Sequence, residues 1–106
     1  MKSLLKGLLP VLGFALMCAL GLSAQNGADT FKGKCAACHG GDGKGDTGMG
    51  KAMKLRDLGS ADVQAQSDAD LNNIVTNGKG KMPKYDGKLS KEQIEDLVKY
   101  MRTLKH

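Results

Sequence analysis

Cys35-Ala36-Ala37-Cys38-His39 sets two thiols three residues apart and places an imidazole directly behind the second. On one helical turn, residues at this spacing share a face, so the sulfurs and the ring can address one object. Four chemistries use such a set. A redox-active dithiol normally sits between a strand and a helix of a larger sheet, and no strand pattern surrounds this motif. A structural zinc site takes about four Cys or His ligands, and outside the motif the chain offers only Cys18 and His106. A Cys35–Cys38 disulfide would close a tiny loop and leave His39 without a task. Thioether bonds to the two vinyl groups of a porphyrin, with the imidazole under the iron, employ all three side chains. The segment therefore implies one covalent haem c, with Cys35 and Cys38 as anchors and His39 as the proximal iron ligand.

Upstream, Lys2 and Lys6 form a charged start, Leu8 to Leu22 is apolar, and Gly21, Ser23 and Ala24 offer the small residues a signal peptidase accepts. The run falls short of the roughly 20 residues of a membrane span, and Pro10, Gly13 and Gly21 interrupt it. Met17 is too large for the position before a lipid-modified Cys18. The expected division is a signal peptide over residues 1–24, cut near Ala24, and one domain over 25–106. Export outside the cytoplasmic membrane, into a bacterial periplasm, agrees with the compartment in which haem is attached. No stable membrane insertion is expected after cleavage.

About eighty residues make one small domain with a thin core. Its aromatic side chains are Phe31, Tyr85 and Tyr100. An apolar core of this size is marginal unless something large fills it, and a porphyrin would do so. The domain is therefore expected to need its haem for stable folding.

Helical signals follow in order. A first helix is predicted from about Ala28 to Ala37, with Asp29 near its positive end and Gly40-Gly41 stopping it. Six glycines between Gly40 and Gly50 read as an irregular loop, and a short amphipathic piece is predicted from Met49 to Leu58. Ser67 and Asp70 resemble a capping box before the stripe Leu71, Ile74 and Val75, which Gly78 ends. Ser90 and Gln93 form a second box, and Ile94, Leu97, Val98, Met101 and Leu104 fall on one face of the last helix. Lys99, Arg102 and Lys105 lie toward its C-terminal end, where cations suit the helix dipole.

Met82 stands before Pro83, which imposes an extended backbone, and after Gly78 and Gly80, so its side chain can be delivered across a ring. Its competitors are Met49, Met53 and Met101, and the last belongs to the helical stripe. Met82 is the expected sixth iron ligand. The backbone carbonyls beside Met49 are candidate acceptors for the His39 ring N–H, and the sequence leaves that acceptor open; Arg56 is the arginine best placed to face a haem propionate.

Taken in order, Gly27 and Phe31, then Cys35, Cys38 and His39, then Met82-Pro83, then Leu97, Tyr100 and Leu104 resemble the small bacterial monohaem class I cytochromes c over essentially the whole mature chain. The resemblance implies an all-α cytochrome c fold, three or more short helices around one covalently bound haem. It also implies that the terminal helices cross at a close contact, here between Gly27 and Tyr100.

Two axial ligands leave no open position on the iron, which points to an electron carrier and not an enzyme. Without Lys2 and Lys6, 14 basic residues face 11 acidic ones. Lys79, Lys81, Lys84 and Lys88 cluster around Met82 as a basic collar suited to redox partners with an acidic docking face. The collar lacks the stacking aromatics that nucleic acid requires. A monomeric periplasmic shuttle between a reductase and an oxidase is the expected role. An electron-receiving subunit of a larger enzyme is a second. A gas-binding haem protein is a third, although its four-helix relatives carry the attachment motif near the C-terminus.

Overall fold

A computed structural model describes residue 23 and residues 25–106. The expected signal peptide lies outside the described residues apart from Ser23. Six helical segments follow one another without a sheet among the described residues: α1 (25–34), α2 (Ala36–His39), α3 (Gly48–Ala52), α4 (Ala61–Gln64), α5 (Asp68–Asn77) and α6 (Lys91–Thr103). No helix among them is long and apolar enough to cross a membrane.

The sequence caps behave as their chemistry dictates. Ser67 Oγ accepts from the Asp70 amide at 3.0 Å, and Ser90 Oγ accepts from the Gln93 amide at 3.1 Å while the Gln93 side chain accepts from the Ser90 amide at 2.8 Å. Only the Ser90 pair closes a reciprocal box. The stripe of α6 delivers Ile94, Leu97, Val98 and Met101 into the core, where they meet Leu71 and Val75 of α5 and Phe31 of α1. Burial of each such side chain contributes about 1.5–3 kcal/mol. Phe31 and Leu97 are 2% and 1% exposed and form the centre.

Helix α1 is already helical at residue 25, ahead of the predicted start at Ala28. The close crossing of the terminal helices expected at Gly27 and Tyr100 is present. A Cβ on Gly27 would lie 2.2 Å from the Asp96 carbonyl oxygen and 2.9 Å from Tyr100 Cβ, so only glycine lets α1 and α6 approach this closely. The Tyr100 ring packs on Phe31 with centroids 5.2 Å apart.

One other expectation needs correction. The piece predicted from Met49 to Leu58 is helical only over Gly48–Ala52, because Thr47 caps it through the Gly50 amide and Lys54 turns left-handed at φ 55°. Arg102 is more than a cation at a helix end. Its guanidinium donates to the Gln64 and Gln66 carbonyls at 3.0 and 2.6 Å and meets Asp68 at 2.8 Å, which clamps the α4–α5 corner onto α6. At the C-terminus the His106 amide donates to the Gly59 carbonyl at 3.2 Å and its ring meets Asp57 at 2.7 Å. That contact holds the Asp57 carboxyl below the usual carboxylate range.

Candidate functional site

The attachment motif begins at a break in the helix. Cys35 interrupts the helical run, and the amides of Cys38 and His39 both donate to its carbonyl, at 3.3 and 3.0 Å. The tightened turn leads into α2, which Gly40 ends at φ 84°. Beyond it, Thr47 Oγ1 donates to the Cys38 carbonyl at 2.6 Å, the Gly45 amide donates to the His39 carbonyl at 2.7 Å, and the glycine-rich loop is thereby folded against the motif.

Cys35, Cys38 and His39 open onto a cleft of about 660 Å³ whose walls are mostly apolar, among them Leu55, Leu58, Leu71, Ile74, Val75 and Leu97. Met82 reaches the same cleft from the far side of the sequence. Its hairpin is short: the Met82 amide donates to the Lys79 carbonyl at 3.0 Å and the Lys79 amide to the Met82 carbonyl at 3.2 Å. Gly80, at φ 57°, takes the first central position of the turn. The hairpin lies tight against the end of α5, where a Cβ on Gly78 (φ 76°) would fall 2.6 Å from the Met82 carbonyl oxygen.

Met53 and Met101 also border the cleft. Met101 is a core residue at 8% exposed, and Met53 caps α3, the helix packed on α2. Met49 is 56% exposed, which removes it from the competition. No carbonyl near Met49 accepts from His39, whose Nδ1 is buried without a hydrogen-bond partner. The candidate carbonyls beside Met49 therefore do not fill that role. Thr47 is committed to the Cys38 carbonyl and the Gly50 amide.

Electrostatics favour binding of a neutral apolar face with anionic edges. Burial lowers the His39 pKa, which keeps the imidazole neutral and its lone pair free for a metal. Burial also pushes the Cys35 thiol up to about 11. A redox-active dithiol needs the opposite shift. Among the described residues no three His, Cys, Asp or Glu side chains converge as a metal cage. The charged residues bordering the cleft are all cationic: Lys34, Lys54, Arg56, Lys79 and Lys81. Lys84 and Lys88 of the expected collar stand outside that border, and Lys88 Nζ sits 6.0 Å from the Tyr85 ring centroid.

An apolar cleft in a helical shell, with an attachment turn at its edge and a buried imidazole lacking a partner, has the shape and chemistry of a c-type cytochrome. Comparison with known proteins agrees. Residues 22–101 match the family described as cytochrome c oxidase, cbb3-type, subunit III. The chain is 40% identical over 83 residues to cytochrome c6 of Nostoc sp., which covers 78% of this chain and 72% of that protein. It is 37% identical over 91 residues to cytochrome c6 of Porphyra purpurea, with 86% and 79% covered. The solved structure of the KustC0563 c-type cytochrome superposes with a TM-score of 0.70 at 29% identity, over 76% of this chain and 98% of that one. The chain belongs to the monohaem class I c-type cytochromes and is cytochrome c6-like. It has their all-α fold, and it is an electron carrier of a family that carries covalent haem c.

Proposed function

We propose that Cys35 and Cys38 hold the haem through thioether bonds, that His39 and Met82 are its axial ligands, and that the protein carries single electrons between a reductase and an oxidase or other acceptor. The observation that carries this reading is convergence: four residues from two distant segments border one apolar cleft. Met82 is preferred to Met53 because it comes from a different element than the α2–α3 pair that carries His39. When bound, the haem supplies a one-electron couple at an iron whose six positions are filled. The protein's share is to keep the imidazole neutral, exclude water with the apolar walls, and hold the thioether on its hairpin. Lys54, in the turn after α3, and Arg56, two residues on, both border the cleft and are suited to carboxylates at its edge.

Residues 1–24 act as a signal peptide in this reading, and the mature monomer works in the periplasm. The match to an oxidase subunit family supports a second reading, an electron-receiving subunit of a larger enzyme. Co-purification with a stable larger partner distinguishes it from a shuttle. The decisive test of the site is the intact mass and absorption spectrum of exported protein. One haem added to a chain starting near Gln25, with a low-spin spectrum, is expected. Bare polypeptide mass overturns the proposal.

The cationic border should steer partners that present an acidic face. Screening shrinks from about 10 Å at 0.1 M salt to about 3 Å at 1 M. Electron-transfer rates with such a partner are therefore expected to fall steeply across this range. A flat salt dependence would show that the lysines merely solvate the surface.

A further inference from the structure

The helix break at Cys35 has a second effect. In an unbroken helix the Cys38 amide would donate to the Lys34 carbonyl, but here it donates to Cys35 at 3.3 Å. The Lys34 oxygen is instead taken by the Tyr85 hydroxyl, which donates to it at 3.1 Å across 51 residues of sequence. Tyr85 is also anchored at its other end. Its amide donates to the Val75 carbonyl at 3.1 Å, the next amide, that of Asp86, donates to the Thr76 carbonyl at 3.0 Å, and the Tyr85 carbonyl accepts from Lys88 and Leu89 at 2.9 Å each. The side chain thus spans from the C-terminal end of α5 to the residue before the first attachment cysteine. Its ring borders the cleft and packs on the core beside Met82 and Cys35. The Met82 hairpin's own two ladder bonds are internal to it and tie it to nothing else.

We infer that Tyr85 is a positioning residue: its hydroxyl latches the Met82 segment to the attachment helix and sets how readily the sixth ligand leaves the iron. The inference rests on the reading of Met82 as that ligand. Neither partner of the latch touches the iron. Tyr85 acts through the segment that carries the thioether, three residues away.

The test uses oxidised holoprotein, with imidazole as the competing ligand and the near-infrared sulfur-to-iron band as readout. Wild type and Tyr85→Phe should both show the band. In Tyr85→Phe the imidazole concentration that removes half of it should fall about fivefold, the ratio set by one ordinary hydrogen bond. Ser67→Ala, which removes a cap at the opposite end of α5, serves as the control for general destabilisation. It should lower the unfolding midpoint and leave the imidazole titration where it is. A Tyr85→Phe titration equal to wild type, or a shift matched by Ser67→Ala, overturns the latch alone. Absence of the band in wild type overturns the Met82 reading and the latch with it.

Discussion

Exported Cys35→Ala, Cys38→Ala protein is expected to carry no covalent haem and to show no cooperative unfolding transition. The reason is one of magnitude. Filling a cleft of about 660 Å³ that opens to solvent takes its apolar walls out of water at about 25 cal/mol per Å², on the order of several kcal/mol in all. The entire stability of a small domain is about 5–15 kcal/mol. Without something to fill it, the cleft must collapse or flood, and either change removes the packing of Leu71, Val75 and Leu97, which serve as both core and cleft wall. The α5–α6 pair depends on those side chains, so loss should spread beyond the site. Circular dichroism through a denaturant series checks the expectation. A sharp transition with native-like helix content in the double variant would mean that the helices are self-sufficient.

The second large effect concerns the thioether. Met82→Ala should retain the haem, because both cysteines and His39 are untouched, yet lose the sulfur-to-iron band and part of its preference for the reduced iron. A soft thioether stabilises the ferrous state. In a one-electron couple each tenfold change in that preference is worth about 59 mV, and a loss of two decades would lower the midpoint potential by about 120 mV. Redox titration of the variant against wild type measures this directly. An unchanged potential and band would transfer the role to Met53, which borders the same cleft.

Those residues were legible in sequence because chemistry restricts them: few tasks employ two thiols and an imidazole at that spacing. Helices α5 and α6 were legible because each begins at a serine cap and carries a regular apolar stripe. Short α4 was not. It has one buried side chain, Val63, and a single apolar residue defines no period. The early start of α1 carries no cap or apolar stripe of its own to mark it, whereas the crossing at Gly27 and Tyr100 was legible through the family resemblance. Arg102 lies in the last turn of α6 as expected, but its further role as a clamp was not legible. Its partners are the carbonyls of Gln64 and Gln66, and backbone acceptors leave no mark on composition. The missing acceptor for His39 was likewise out of reach, since the loop's glycines told of irregularity without telling where each oxygen would point.

The crossing at Gly27 joins the first and last helices of the domain, the two pieces furthest apart during synthesis. The contact that completes the fold at α1 is therefore non-local and forms only once the far end of the domain is in place, whereas the attachment turn already has local partners in α3 and the glycine-rich loop.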